Sequence, residues 1–239
     1  MKASQVYVAL DTDTADDALS IVDELSGVAS SFKIGSALFT LAGANIVETL
    51  VGNGLNVFVD LKFHDIPSVI ARACVNLAQK GVQMMTLHAQ GGLEMMRTAA
   101  EAVSTHWGDR PHKPILLGVT VITSIDETIL SEDLGCQRPL REQVLHLAEL
   151  ALKAGLDGVV ASGQELEPLK ARFGNDLKLL VPGIRPAASE DDQKRTITPA
   201  RAVEMGADYL VIGRPITQAR HVRRAAISIL EEVGVSGLR

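Results

Sequence analysis

Residues 56–67 read "NVFVDLKFHDIP". The first half, Val57 to Leu61, is apolar and rich in β-formers, and the second sets Asp60, Lys62 and Asp65 around His64. A strand this continuously hydrophobic has no face to give to water, so it belongs in a parallel sheet covered by helices. Ionisable groups at the end of such a strand carry a desolvation cost that structure alone seldom requires. The stretch therefore predicts an α/β fold with a charge cluster where one buried strand ends.

The same kind of run recurs on both sides of it. Val6 to Leu10, Ser31 to Ile34, Met84 to His88, Ile115 to Val121, Gly158 to Ala161, Leu177 to Val181 and Tyr209 to Ile212 bring the total to eight. Helical periodicity fills the intervals. "TADDALSIVDELSG" from Thr14 begins with Thr14 and Asp17 at capping-box spacing, and "LREQVLHLAELALKAG" runs from Leu140. Eight strand–helix units at roughly 30 residues each fit a (β/α)8 TIM barrel filling residues 1–239 as a single domain. An open doubly wound sheet is the alternative, but no G-x-G-x-x-G follows the first strand.

Composition narrows the partners. With 239 residues, 46% of them hydrophobic, the chain can bury a large core, and a net charge of −6 disfavours nucleic acid as a partner. A small anion would need specific basic groups. The two cysteines, Cys74 and Cys136, have no metal-ligand spacing and read as free thiols of a reducing cytoplasm. The opening residues lack an apolar signal core, and no apolar span is long enough to cross a bilayer, so export and a membrane partner are not expected.

In a parallel barrel the chemistry gathers at the carboxyl ends of the strands. There the sequence places Asp11, Lys33, Asp60 with Lys62, His88, Thr123, Arg185 and Gly213-Arg214, a polar group on seven strands of eight. Asp60 and Lys62 are two apart, so alternation sends both into the barrel mouth and Leu61 toward the helices. Lys33, on the neighbouring strand, reaches the same space. A buried salt-bridge network with no chemistry is the plainer reading of one acid–base pair, and convergence of four charges argues against it. At the far side, "VPGIRPAASEDDQKRTITP" (Val181 to Pro199) and "GADYLVIGRPIT" (Gly206 to Thr217) leave strands seven and eight through Gly183 and Gly213, present Arg185 and Arg214, and lead toward helices. Glycine-opened backbone with guanidinium groups at these two strands is how barrels hold phosphate.

Taken in order, "FKIG" at Lys33, "DLKFHDIP", "LHAQGG" at His88, "VTVITS" at Thr123, "PGIRP" at Arg185, "DDQ" ending in Gln193 and "VIGRPIT" at Arg214 resemble the orotidine 5′-monophosphate decarboxylase family, from the first strand to the last. The resemblance implies decarboxylation of a nucleotide substrate to UMP without metal or organic cofactor. It implies a catalytic network of Lys33, Asp60, Lys62 and Asp65, with Lys62 stabilising and protonating the C6 carbanion and Asp65 crossing into the partner's site of a homodimer. Asp11 and Lys33 would bind ribose and Thr123 the pyrimidine. Gln193 would lie in a closing loop, and Arg185, Gly213 and Arg214 would take the phosphate. One position departs: the family reads Asn-Thr after Asp-Ile-Pro, whereas Ser68 and Val69 stand here, which removes a hydroxyl expected to reach ribose from the partner.

Asp60-x-Lys62-x-x-Asp65 is shared with magnesium-dependent 3-keto-gulonate 6-phosphate decarboxylase and hexulose phosphate synthase, the rival enzymes. Those usually carry an acid near the Lys33 position. A phosphosugar-binding barrel without turnover is the rival of another class. His88 reads as a hydrogen-bonded histidine of the barrel top, His64 as pointing outward or into a dimer contact, and "SIDETILSEDLG" (Ser124 to Gly135) as a solvated helix over the rim.

Overall fold

The computed structural model describes residues 1–186 and 196–237. Eight parallel strands close on themselves in sequence order, β1 pairing with β8. They are β1 Val6–Ala9, β2 Ser31–Gly35, β3 Asn56–Phe63, β4 Met84–His88, β5 Ile115–Val119, β6 Gly158–Val160, β7 Lys178–Val181 and β8 Tyr209–Ile212. Closure excludes the open sheet. The long helices between them are α1 Ala15–Glu24, α2 Ser36–Gly52, α3 Pro67–Gln79, α4 Gly92–Trp107 and α5 Leu140–Lys153; α6 Leu166–Phe173, α7 Pro199–Glu204, α8 Arg214–Thr217 and α9 Val222–Glu232 complete the ring. Helix α1 starts as its sequence predicts: Thr14 Oγ1 accepts from the Asp17 N–H at 3.0 Å, satisfying one of the amides a helix start leaves open.

Strand alternation sorts the core into two shells. On β1, Val6 and Val8 join the large outer core shared with the helices, whereas Tyr7 and Ala9 face the lumen with Phe58, Met84, Leu117, Leu180 and Val211. Tyr7 and Phe58 meet edge to face, centroids 5.6 Å apart, the arrangement aromatic quadrupoles favour. This inner layer plugs the barrel. Three of the lumen-facing series continue upward into a polar group, Ala9 to Asp11, Phe58 to Asp60 and Met84 to Thr86, and Val211 leads to Gly213.

Two local expectations change. The acidic stretch over the rim is not a regular helix; it makes one wide turn, Ile129–Asp133, started by Asp126 Oδ1 accepting from the Ile129 N–H and pinned by buried Leu130. The helix after Gly213 is only the four residues of α8, with Pro215 in its first turn.

Candidate active site

Strand β3 does not reach the barrel mouth by simple alternation. Val59 pairs with Met85 and Phe63 with Leu87, so Asp60, Leu61 and Lys62 lie opposite the single residue Thr86. The strand absorbs the excess by bulging, and Lys62 takes a left-handed backbone, φ 49°. For a residue with a side chain that costs about 1–2 kcal/mol, which the surroundings must supply. Thr86, fully buried, closes the bulge: its Oγ1 accepts from the Lys62 N–H at 2.9 Å and donates to Asp60 Oδ1 at 2.9 Å. Leu61 and Phe63 pack outward on the helix-side core.

Above the bulge the charges converge. Lys62 Nζ donates to Asp60 Oδ2 at 2.9 Å, Lys33 Nζ lies 3.9 Å from the same oxygen, and Lys33 donates to Asp11 Oδ1 at 3.1 Å. Only 9% of the Lys33 side chain and 14% of that of Asp60 meet solvent, against 39% for Lys62 and 57% for Asp11. The buried members thus share partners on both sides, and the exposed ones open toward the cavity. Gly35, at the end of β2, leaves room for this pair: a Cβ there would come within 2.9 Å of Asp11 Oδ1 and 3.0 Å of Lys33 Nζ, so the two side-chain tips would have to move.

These side chains form one wall of a cavity of about 470 Å³, within the range that takes a nucleotide-sized ligand. Thr123 lines it beyond β5, and Gly183, Arg185, Gly213 and Arg214 line it beyond β7 and β8. Arg185 is buried, and its Nη1 donates to the Ile184 carbonyl at 2.9 Å. A bridge between Ile184 and Ile197, with the Arg185 N–H donating to the Ile197 carbonyl at 2.9 Å, holds that stretch against the chain that follows the 187–195 segment. Gln193 lies outside the described residues.

His88, expected at the rim, and Asp65, which the resemblance sends to a partner, both lie outside the cavity of their own chain. Asp65 is exposed at the start of α3 and accepts from the Ile66 N–H at 2.6 Å; Ile66 beside it is 62% exposed. His88 packs beside His64, ring centroids 5.5 Å apart, and not in the cavity. Nor is it the hydrogen-bonded histidine expected, because its Nδ1 is buried without a partner among the described residues. Burial, then the neighbouring His64 and Lys62, lower its pKa below the ordinary 6.5.

Two residues were missed from sequence. Thr86 is hidden inside an apolar strand, where a threonine reads as a β-former. Ser162 supplies the polar group that strand six lacked: it lines the cavity, is fully buried, and its Oγ makes no hydrogen bond among the described residues. Its position two residues beyond Val160, on the lumen side, was the available signal. Among the described residues no group of three His, Cys, Asp or Glu side chains is placed to hold a metal ion.

Comparison with known proteins agrees with this geometry. Residues 4–229 match the model of the "Orotidine 5'-phosphate decarboxylase / HUMPS family". The chain is 47% identical over 236 residues to orotidine 5'-phosphate decarboxylase of Pseudoalteromonas translucida, covering 98% of this chain and 97% of that protein. It is 48% identical over 227 residues to the enzyme of the same name from Actinobacillus succinogenes, covering 95% and 96%. The crystal structure of orotidine 5'-phosphate decarboxylase from Lactobacillus acidophilus superimposes with a TM-score of 0.87 at 35% identity, over 97% of this chain and all of that one.

Proposed function

This chain belongs to the orotidine 5′-phosphate decarboxylase family, and on that footing we propose that its rim cavity converts orotidine 5′-monophosphate to UMP, a carboxy-lyase step of pyrimidine synthesis, with Lys62 as the catalytic acid. The observation that carries the reading is the Lys33–Asp60–Lys62 array on one wall of a cavity whose β7 and β8 side carries Arg185 and Arg214. A phosphate anchored by Arg185, Gly213 and Arg214 lays the nucleotide across the barrel mouth. Asp11 and Lys33 then take the ribose hydroxyls, and Thr123 the pyrimidine edge.

Breaking the C6–carboxyl bond leaves its electron pair in the ring plane, where the π system delocalises it poorly, so the barrier is electrostatic. CO₂ departs and C6 takes a proton from Lys62 Nζ, which solvent later restores. The ammonium offers charge to the developing carbanion and a proton to the product from one position. At an effective dielectric near 20, a unit charge about 4 Å away contributes roughly 4 kcal/mol, against a demand that reaches ~20 kcal/mol in efficient enzymes. The rest comes from phosphate and ribose binding energy used to exclude water and hold the ring against charges already in place. Asp60, hydrogen-bonded at both oxygens, cannot turn away from an incoming carboxylate.

Asp65 belongs to a second copy's site in this reading. Its exposure, its absence from its own chain's cavity and the apolar Ile66 beside it support a homodimer that brings it across. Val69 carries no hydroxyl to offer the ribose there. The chain, 1–239, acts as one barrel domain in the cytoplasm. Free Cys74 and Cys136 support that location, and no helix among the described residues is long and apolar enough to cross a membrane.

Lys33 also separates this reading from the magnesium-dependent one, because its ammonium occupies the space between the Asp11 and Asp60 carboxylates where a divalent cation would need ligands. The test is turnover followed by loss of pyrimidine absorbance. The protein should consume orotidine 5′-monophosphate undiminished by chelator. Inactivity on that nucleotide, with magnesium-dependent consumption of 3-keto-gulonate 6-phosphate, would overturn the proposal.

A further inference from the structure

We infer that Thr86 is a positioning residue for decarboxylation, acting through Lys62 and Asp60 without touching substrate; the inference rests on the catalytic role proposed for Lys62. The observation is a closed ring of hydrogen bonds. The Thr86 hydroxyl takes the Lys62 backbone N–H and gives its own proton to Asp60 Oδ1, while Lys62 Nζ returns to Asp60 Oδ2. No ordinary ladder partner is available to the Lys62 amide, since the bulge sets three residues against one and turns Lys62 to φ 49°. One fully buried hydroxyl therefore does two things. It satisfies the amide of a strained residue, and it fixes the rotation of the carboxylate against which the ammonium is aligned.

The consequence is specific to turnover. Lys62 is held on a backbone that would relax without the hydroxyl, and displacement of a reacting group by about 1 Å can cost ~100-fold in rate. In that reading phosphate and ribose contacts come from Arg185, Gly213, Arg214, Asp11 and Lys33, none of which Thr86 touches in the hydrogen bonds of this site.

The experiment compares Thr86→Val, which keeps the shape and loses the hydroxyl, with Thr86→Ser, which keeps the hydroxyl. Turnover of orotidine 5′-monophosphate, UMP affinity and circular dichroism are measured for each. Thr86→Val is expected to lower kcat by about 10- to 100-fold with UMP affinity within about 2-fold of the parent, and Thr86→Ser to restore kcat to within about 3-fold. If the valine variant does not fold, Thr86→Cys, similar in size to serine and a far weaker hydrogen-bonding group, is compared with Thr86→Ser in its place. Near-parent kcat in the hydroxyl-free variant overturns the inference, as does a serine variant equally impaired, or a loss of UMP affinity that matches the loss of kcat. Lys62→Ala is run alongside. High turnover there would instead remove the role of Lys62 itself, so the two failures are told apart.

Discussion

At His88 the environment sets a charge state that the residue type leaves open. The ring sits beside His64 and near Lys62, with Nδ1 buried and no partner for it among the described residues, so the neutral form is favoured in the fold and the pKa falls below 6.5. The unfolded chain takes up that proton more readily. The stability tied to this group is therefore complete above about pH 6.5 and is lost as pH falls from there through the lowered native value. His88→Gln should flatten the decline of Tm below pH 6.5 relative to the parent, whose other histidines serve as the common background. Parallel curves for the two proteins would assign the acid sensitivity elsewhere. Residue chemistry also explains why Thr86 and Ser162 escaped notice: a hydroxyl matters through its partners, or lack of them, and sequence shows neither.

At the scale of elements, most of the barrel was legible. Near-continuous apolar strands recurring between amphipathic stretches dictate a parallel sheet with helices outside, and all eight expected strands are present, their ends within a residue or two. The lumen-facing parity that carries Ala9 to Asp11 and Val211 to Gly213 follows from the period of two. Strand β3 reaches the same end by a different route, because a bulge cannot be read from spacing; Asp60 and Lys62 meet through a left-handed residue clamped by the next strand. The irregular turn at Ile129–Asp133 was hidden for a related reason, since one buried leucine and one aspartate cap replaced the periodic face a helix needs. The end of β2 gives a prediction at this scale. In Gly35→Ala the added Cβ meets only the tips of Asp11 and Lys33, which can swing aside, so thermal unfolding should move by less than ~1 kcal/mol in stability. Nucleotide affinity should fall about 10-fold as that ion pair separates, measured by titration with UMP. Unchanged affinity would show that the pair is not needed where it stands.

At the scale of the whole molecule, the barrel separates support from chemistry. The plug of Tyr7, Phe58 and their neighbours fills the lumen below, and the charges stand on it at the rim. Lys33 and Asp60 are already paired on β2 and β3, so in the proposed reaction little reorganisation is left for the reacting complex. What one chain does not hold at its own cavity is Asp65. Strand spacing puts that residue three positions after Lys62 and says nothing of which copy its side chain faces; only the family resemblance points to a partner. The most direct test of a charge network centred on Lys62 and completed from a partner is to mix two inactive variants. Lys62→Ala and Asp65→Asn should each turn over negligible orotidine 5′-monophosphate alone. After joint unfolding and refolding at equal amounts, half the dimers are mixed and each of those holds one intact site, so activity should return to about a quarter of the parent's. No recovery in verified mixed dimers, or substantial activity in Lys62→Ala alone, would contradict the account.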